Sequence, residues 1–421
     1  MDILRRASLL TVIILALLLT LVGCNSQPSL KFIPPAQEGN SEGLLEGVSG
    51  EKQAELVPEP QQEIITLTAL GDILMHNTLI WSGGQPDGSY QFNFFSEVKD
   101  LIEQGDYCTT NLETALAGPA TGYTGYPLFN SPDAIAQHLK DYGIDGVVAA
   151  NNHLLDRGYN GALRTVEVLE KAGLDTLGTK KSATDSGVLI KEIRGVKVGY
   201  LAYTYGTNGI GLPKEHSYFI NILEKERILK DISELKPQVD VLILILHWGV
   251  EYSPEPTEEQ RRLAHQFLEA GADAIIGSHP HVLQSVEVLN IGGRDKFVAY
   301  SLGNFIGDQR GEERNSGVIL ELKFLQEKRF SSSNGSSSDT PEVGISKTTR
   351  LEEVRIIPTY SHSYYEKGKQ QFRVVPLEET IRKIKANEEK ILSTKDLPML
   401  ENILKVTQER LGSNYHVNTK G

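Results

Sequence analysis

The sequence predicts an α/β fold in which helices pack on a sheet. Strand-like and helix-like segments alternate from Ile64 onward, which is the pattern of such folds. The segment from Val241 to Leu246 is apolar at every position, so we expect a strand that is buried on both faces. Polar clusters follow five β-like segments, and open α/β sheets bind their ligands at that end of the strands.

The alternating segments have recognisable beginnings and ends. Ser131 and Pro132 fit a helix N-cap followed by proline at the first helical position. Thr257 and Gln260 fit a capping box. We predict strands at 107–112, 145–150, 196–203, 239–246, 272–276 and 296–302, a later β region around 318–320 and 354–357, and helices at 94–103, 133–141, 162–172, 223–235 and 258–270.

The first 24 residues have the features of an export signal and are predicted to lie outside the fold. Two arginines precede an apolar run from Leu9 to Val22, which is short for a membrane span but typical of a signal-peptide core. The run ends Leu-Val-Gly before Cys24, which resembles the lipobox of bacterial lipoproteins. The resemblance implies cleavage before Cys24 and a lipid on its sulfur, and an uncleaved signal anchor is the alternative. Both place the folded region outside the cytoplasmic membrane.

Composition divides the rest of the chain into three parts. Residues 25–62 are predicted to form a flexible linker, because polar residues, glycine and proline dominate there and few bulky apolar residues are available for a core. The folded domain is predicted to span 63–376, with a disordered Ser-rich loop at 331–341. Residues 377–421 are predicted to form a helical C-terminal extension.

Charge and cysteine content exclude two classes of protein. The net charge of −13 argues against a nucleic-acid-binding surface, which needs clustered lysine and arginine. The same charge disfavours binding of an acidic polymer across the whole surface, although a bound cation reverses the sign of the charge locally. Cys24 and Cys108 are the only cysteines, so we expect no disulfide framework and a buried Cys108.

The polar clusters at the strand ends supply a set of candidate metal ligands. His279 and His281 directly follow an apolar run that ends at Ile276, and His247 ends the all-apolar strand, where an unpaired imidazole is costly to bury. Carboxylate, amide and imidazole donors together suit manganese, iron or zinc. The candidate ligands are Asp72, Glu113, Asn152, His247, His279 and His281.

Several of these residues also fit structural roles, which remain open at this point. Asp72 fits a helix cap. Glu113 fits a carboxylate that bridges two ions about 3.5–4 Å apart, and equally an acceptor for a hydrogen bond from a ligand residue. His279 and His281 also fit a structural pair in a Gly-Pro turn, and His76 is expected to line the pocket without binding metal.

The neighbours of these ligands are expected to carry supporting roles. His153 fits a proton donor, because imidazole titrates near neutral pH. Asp156 fits an orienting group or a helix cap, and Glu251 fits a hydrogen-bond acceptor for a ligand imidazole. Substrate contact or support of the ligands is expected of Asn111, Asn151 and Asn304. Histidines outside the clusters are expected on the surface: His138, His216, His265, His362 and His416.

Six motifs follow one another in order across about residues 64–325. They are Gly71-Asp72, Asn111-Leu112-Glu113, Asn151-Asn152-His153, His247-Trp248-Gly249, Gly277-Ser278-His279-Pro280-His281 and Ser301-Leu302-Gly303-Asn304-Phe305. This series resembles the motifs of the CapA/PgsA proteins, which are associated with poly-γ-glutamate capsules. That family belongs to the calcineurin-like metallophosphoesterase superfamily. The resemblance therefore implies a four-layer α/β/β/α sandwich with a site for two metal ions at one end.

The resemblance also implies roles for individual residues. Asp72 and Asn152 match metal ligands, His153 matches the histidine that protonates a leaving group, and the other three histidines match ligands of the two metals. The chain departs from the phosphoesterase pattern at two points. The opening Asp-x-His is absent, since Ile73 and Leu74 follow Asp72, and Glu113 stands where an aspartate is usual. Both departures affect the first metal position.

The function implied is a membrane-anchored, extracytoplasmic role in the synthesis or export of poly-γ-glutamate or a related capsule polymer. Two divalent ions of manganese, iron or zinc would support hydrolysis or transfer. Expected partners are the cell membrane, through the lipid anchor, and membrane subunits of a polyglutamate synthase or exporter, with no nucleic acid. Two alternatives stay open: a general metallophosphoesterase with another substrate, and a non-catalytic polymer-binding scaffold.

Overall fold

The computed structural model of the protein describes residues 59–333, 342–412 and 416–418. The predicted signal peptide, the lipidation site Cys24, the predicted linker up to residue 58 and loop residues 334–341 lie outside the described residues. The first strand begins at Gln61, inside the segment predicted to be linker. The segment 331–333, predicted to be loop, belongs to a long strand.

Strands and helices alternate through the first three quarters of the described chain. The strands are β1 (Gln61–Ile73), β2 (Tyr107–Leu112), β3 (Gly146–Val148), β4 (Asp175–Leu177), β5 (Leu189–Ile193), β6 (Val196–Thr204), β7 (Val241–His247), β8 (Ala274–Ser278), β9 (Val286–Ile291), β10 (Arg294–Ala299), β11 (Asn304–Ile306), β12 (Ser316–Ser333), β13 (Glu342–Glu366), β14 (Lys369–Pro376) and β15 (His416–Asn418). The helices are α1 (Asn77–Gly83), α2 (Lys99–Ile102), α3 (Ala134–Asp141), α4 (Gly158–Lys171), α5 (Lys225–Leu235), α6 (Glu258–Ala270), α7 (Leu377–Lys385) and α8 (Leu397–Leu411). None of the helices in these ranges is long and apolar enough to cross a membrane.

The strands form two sheets. The first has the order β14-β13-β12-β1-β2-β3-β4, with β11 paired to β1 and β15 paired to β13. The second has the order β5-β6-β7-β8-β10-β9. In the first sheet β1, β2, β3, β4 and β11 run parallel, and in the second β6, β7, β8 and β10 do. At one end of each sheet, the carboxyl termini of several parallel strands therefore lie side by side.

The main core lies between the two sheets. Ile65 and Leu67 of β1 pack there in the same apolar cluster as Ile243 and Ile245 of β7. The intervening residues of β7 point to the other side of the second sheet, so this strand is buried on both faces as its all-apolar sequence predicts. Burying each such aliphatic side chain contributes about 1.5–3 kcal/mol to stability.

Helices cover the two outer faces of the sheets. Leu70 of β1 packs with Leu139 of α3 on the outer face of the first sheet. Leu244 of β7 packs with Ile232 of α5 and Phe267 of α6 on the outer face of the second. The layers therefore follow the order helix, sheet, sheet, helix, and the predicted four-layer α/β/β/α sandwich is confirmed.

Two predicted helix beginnings differ from the structure, and one agrees with it. The helix predicted at 94–103 is reduced to α2, because the carbonyl of Phe94 accepts a hydrogen bond from the Val374 N–H of β14 instead of starting a helix. Ser131 does not cap α3, since its hydroxyl pairs with that of Thr114 at 2.8 Å. The capping box of Thr257 at the start of α6 is present.

The two C-terminal helices pack on the strands of the long β12–β13–β14 region. Leu377 and Ile381 of α7 share an apolar cluster with Leu400 and Ile403 of α8 and with Tyr360 of β13. Helix α8 continues toward the loops at the carboxyl ends of the sheets. This position lets it contribute to the surroundings of the candidate site.

Two histidines expected on the surface are buried. His138 of α3 is 6% exposed, and its ring lies among Phe94, Phe95 and Tyr142 at centroid distances of 5.3, 4.9 and 4.6 Å. His362 of β13 is 9% exposed. His138 lies on a helix with no partner apparent in the sequence, whereas Phe94 and Phe95, from a segment preceding β2, pack against its ring.

Burial makes the stability of this region depend on pH through His138. Burial lowers the pKa of His138 to about 4, below the value of about 6.5 in an unfolded chain. The unfolded chain therefore binds the proton first, so this contribution to stability is full above about pH 6.5 and is lost as the pH falls toward 4. We expect the free energy of unfolding to fall more steeply with acid in the wild type than in His138→Phe, by on the order of 2 kcal/mol between pH 7 and pH 4.

Urea unfolding at several pH values measures this difference. His265→Phe is the matched control, because the His265 side chain on α6 is 55% exposed. An identical pH dependence in the wild type and His138→Phe would contradict the assignment.

Candidate metal centre

The carboxyl ends of the two sheets meet at one place. In the first sheet, the strand register puts Asp72 of β1 beside Asn111 of β2 and Asn304 of β11. In the second, it puts His247 of β7 beside Thr204 of β6 and Ser278 of β8. Parallel strands that end at a common edge deliver their terminal side chains to the same site. The polar clusters of the sequence are thereby gathered at a single site.

Two glycines allow the backbones at this edge to come close together. A Cβ atom on Gly71 would lie 2.3 Å from the carbonyl oxygen of Gly303. A Cβ atom on Gly277 would lie 1.9 Å from the carbonyl oxygen of Tyr300. Only glycine fits such contacts, and each precedes a candidate ligand by one or two residues. The close approach of neighbouring backbones therefore explains why glycine occupies these two positions.

Two buried carboxylates lie side by side in the first sheet's half of the site. Asp72 and Glu113 are both 0% exposed. The Asn111 amide donates to Asp72 Oδ1 at 2.8 Å and to Glu113 Oε2 at 3.3 Å. Asn151 donates in turn to Asn111 Oδ1 at 3.1 Å. Asn111 and Asn151 thus hold the carboxylates and do not project into open space.

Three imidazoles converge on these carboxylates. The ring centroids of His247 and His279 are 4.8 Å apart, and those of His279 and His281 are 6.0 Å apart. Glu113 Oε1 lies 3.8 Å from His247 Nε2 and 3.7 Å from His281 Nε2. Asn152 Oδ1 lies 2.9 Å from His247 Nε2. The six candidate ligands of the sequence therefore surround one small volume.

Three groupings of donor atoms are compact enough to hold a cation. They are Asp72 with Glu113 and His281, Glu113 with His247 and His279, and Glu251 with His279 and His281, each with its donor atoms within 4.8 Å of one another. Glu113 belongs to two of these groupings. That position is the one a carboxylate shared by two ions needs.

Two buried donor atoms of the cluster have no hydrogen-bond partner among the described residues. They are Glu113 Oε1 and His279 Nδ1. A buried polar atom without a partner costs about 1–3 kcal/mol, and more when it is charged. A divalent cation satisfies both kinds of atom, and the mixed oxygen and nitrogen donors suit manganese, iron or zinc. The residues present therefore fit a divalent metal.

Burial and neighbouring charges shift the protonation of the cluster. Burial raises the pKa of Glu113 to about 7 and lowers that of His279 to about 4. Burial also lowers the pKa of His247 well below its ordinary value. Burial opposes the charged form of His281 too, but the Glu113 and Asp72 carboxylates outweigh it and raise its pKa to about 9. His247 and His279 are thus neutral, which is the form that binds metals.

The loop that carries the last two histidines has an unusual backbone. His279 and His281 have φ values of 99° and 59°, and Tyr252 has 64°. Such conformations cost about 1–3 kcal/mol each in residues other than glycine. The Tyr252 N–H donates to the Pro280 carbonyl at 2.8 Å, and the His279 N–H donates to Asp72 Oδ2 at 3.2 Å. These bonds hold the strained turn against the carboxylates.

His153 and Asp156 form a second pair beside the cluster. His153 Nδ1 lies 2.7 Å from Asp156 Oδ2, which also accepts the Phe129 N–H at 2.7 Å. The Phe129 ring packs edge-on against His153 at 4.7 Å. Asp156 thus contacts the imidazole, and α4 begins at Gly158 without a side-chain cap. This geometry leaves Nε2 of His153 as the nitrogen that can exchange a proton with a ligand.

The other supporting residues lie beside the cluster. Glu251 is exposed, and one of its carboxylate oxygens lies within 4.8 Å of ring nitrogens of His279 and His281. His247 Nδ1 lies 2.9 Å from Ser278 Oγ. Asn304 Oδ1 lies 3.1 Å from His281 Nδ1, so it contacts a candidate ligand, as the sequence predicts. His76 belongs to none of the three groupings, and its Nδ1 accepts the Asp308 N–H at 3.1 Å.

Sequence reasoning missed three further residues at the site. Ser278 contacts His247, and it could have been noticed because it lies between Gly277 and His279. The Tyr205 ring is 4.5 Å from that of His279, and Asn208 accepts a hydrogen bond from Asn152 at 3.2 Å. Tyr205 follows strand β6 directly, so the strand-end argument applied there too.

The fold and the site together define a class. The protein is an α/β/β/α sandwich whose sheet edges carry a buried cluster of carboxylates and imidazoles suited to a divalent cation. Residues 66–309 match the model of a family described as "Bacterial capsule synthesis protein PGA_cap". The chain belongs to this family.

The chain is also similar to individual known proteins. The chain is 29% identical over 282 residues to the PGA biosynthesis protein CapA of Bacillus subtilis, covering 65% of this chain and 71% of that protein. It is 30% identical over 275 residues to the capsule biosynthesis protein CapA of Bacillus anthracis, covering 63% and 65%. A solved NAD nucleotidase of Haemophilus influenzae is similar with a TM-score of 0.42 and 16% identity, covering 84% and 64%. The chain thus spans less than two thirds of the last two proteins.

Proposed function

We propose that the protein is anchored outside the cytoplasmic membrane and acts in the synthesis or export of poly-γ-glutamate or a related capsule polymer. In this proposal its chemistry is metal-dependent hydrolysis or transfer. The observation that carries the chemistry is the buried cluster in which Glu113 Oε1 and His279 Nδ1 have no hydrogen-bond partner among the described residues. Family membership and the names of the two Bacillus relatives support the polymer.

The residues that would hold the metal are those of the cluster. A bound divalent ion supplies Lewis acidity and an activated water. Glu113 would be shared where two ions bind. The ligand set comprises Asp72, Glu113, Asn152, His247, His279 and His281.

The remaining residues act on the substrate's protons and on water. Asp156 accepts the hydrogen bond from the Nδ1–H of His153, so when the ring carries both protons the one at Nε2 is the one given up. The Phe129 ring covers the imidazole and limits access of water from that side. His153 thus serves as the acid for a leaving group, and Asp156 is its positioning residue.

One observation favours a second candidate, a non-catalytic polymer-binding scaffold. The chain lacks the Asp-x-His opening, and His76 belongs to none of the metal groupings found in the described ranges. The first metal position therefore has fewer donors than the phosphoesterase pattern supplies. Such a protein would keep the fold and bind the polymer without turnover.

Metal content distinguishes the presence of a centre from its absence. Full-length protein loaded with manganese or zinc and then dialysed should retain about one or two ions per chain. His247→Ala should lose most of this metal, because the substitution removes one ligand and leaves the ion with too few. Inductively coupled plasma mass spectrometry measures the ions, and His265→Ala on the exposed face of α6 is the control. Equal metal in His247→Ala and the wild type would exclude the cluster as the binding site.

Hydrolysis of bis-p-nitrophenyl phosphate by the metal-loaded protein tests turnover. We expect His153→Gln to lower kcat about 100-fold, since general acid catalysis contributes this much or more. Asp156→Asn should lower kcat to a smaller extent with KM unchanged, because it disturbs only the orientation of the ring. His265→Gln should behave as the wild type. No hydrolysis by the wild type, together with polymer export that survives Asp72→Ala/His281→Ala, would favour the scaffold.

Anchoring rests on Cys24, and the second cysteine provides a control. Wild-type protein expressed with its leader should fractionate with the membrane and incorporate labelled fatty acid. Cys24→Ala should lose the label, whereas Cys108→Ala, which changes a buried residue of β2, should keep it. Membrane association together with an unlabelled wild type would indicate an uncleaved signal anchor. Co-purification from the labelled membranes would identify the membrane subunits proposed as partners.

A further inference from the structure

A cavity of about 390 Å³ adjoins the metal-ligand cluster. It lies between the 310–316 loop and helix α8, and Tyr252 forms the wall nearest the cluster. Tyr252 is in contact with the site, since its ring centroid is 6.0 Å from that of His281. The cavity therefore opens beside the place where the reacting group of a substrate would lie.

Three arginines line this cavity, and two have no carboxylate partner among the described residues. Arg410 of α8 pairs with Glu313 at 2.5 Å and donates to the Leu283 carbonyl. Arg310 and Arg314 make no ion pair within the ranges that the structure describes. Arg310 is exposed, whereas Arg314 is partly buried.

Arg314 is held in place although its charge is unpaired. Its guanidinium lies 3.7 Å from the centroid of the Tyr252 ring, in a cation–π contact. Its backbone carbonyl accepts the Asn304 amide at 2.7 Å, and Asn304 in turn contacts His281. Stacking uses the face of the guanidinium and leaves its in-plane N–H groups free to bind an oxyanion bidentately.

The carboxylates on the cavity wall do not cancel the positive charge of Arg314. Glu313 is paired with Arg410, and Glu312, which accepts a hydrogen bond from the neutral Asn402 amide at 3.3 Å, keeps its charge. Arg310 and Arg314 together outweigh this one carboxylate. Elsewhere in this acidic chain arginines such as Arg164 and Arg355 are paired with carboxylates. A fixed, unpaired guanidinium beside a candidate metal centre is therefore a local reversal of the net charge of −13.

We propose that this cavity is a binding site for an anionic group of the substrate, a carboxylate or a phosphate. Arg314 is its bidentate contact and Arg310 adds a second positive charge. The site rests on the proposed function, because the same substrate places its reacting group at the cluster. Binding of the anion itself depends on Arg314 and does not require metal.

Isothermal titration of the full-length protein tests this site. The probes are a γ-linked glutamate oligomer as the carboxylate source and inorganic phosphate. We expect Arg314→Ala to weaken binding of at least one probe about tenfold or more, as loss of a charged hydrogen-bonding group does. Arg314→Lys should weaken it less, because lysine keeps the charge without the fork. Arg294→Ala is the matched control, since Arg294 is exposed and also lacks an ion pair in the described chain.

The outcomes separate this site from the metal centre. Dependence on Arg314 for the oligomer alone identifies a carboxylate site, and dependence for phosphate alone identifies a phosphate site. His247→Ala should retain Arg314-dependent binding in the same measurement even where metal is lost. The test of the anion site therefore remains valid if the proposed catalysis is wrong. Equal affinities in Arg314→Ala and Arg294→Ala, or no binding of either probe by the wild type, would overturn the proposal. Arg314→Lys decides the matter if Arg314→Ala proves unfolded by circular dichroism.

Discussion

The rest of the site depends on two carboxylates that are buried from solvent, Asp72 and Glu113. A buried negative charge is expensive unless positive charge or hydrogen-bond donors surround it. Here the Asn111 amide reaches both groups, and the imidazoles of His247 and His281 lie on the side that remains. The arrangement still leaves one carboxylate oxygen, Glu113 Oε1, without a hydrogen-bond partner in the described chain. A cation is the species that best completes such a set.

Holding these groups together requires backbone geometry that ordinary strand ends lack. Gly71 and Gly277 remove the Cβ atoms that would keep neighbouring chains apart. His279 and His281 accept a left-handed backbone, held by hydrogen bonds to Asp72 and from Tyr252. The local cost is offset by the large apolar cores on both sides of each sheet, which keep the strands in register. A strained loop on a rigid scaffold fits a site that must keep its shape.

The acidic surface poses a problem for a protein proposed to act on an acidic polymer. The proposed metal centre and the proposed anion contact of Arg314 on the adjoining cavity wall would resolve it locally. Arg314 is connected to the cluster through both Tyr252 and Asn304, so the proposed metal centre and the proposed anion site adjoin each other. The rest of the surface remains negative, which would repel a polyanion except where it enters the site.

The sequence by itself determined the α/β class, the buried strand β7, the capping box of α6 and the candidate ligands, because each depends on a local pattern or an abrupt change from apolar to polar residues. It did not predict the short strands β4 and β5, whose residues lack a long apolar run, or the shortening of the helix at Phe94, which results from pairing with β14. Only the tertiary structure decided that His138 is buried, that Ser278 contacts His247, and that Arg314 stacks on Tyr252. Those features arise where segments distant in sequence pack against one another, and a local sequence pattern does not predict such contacts.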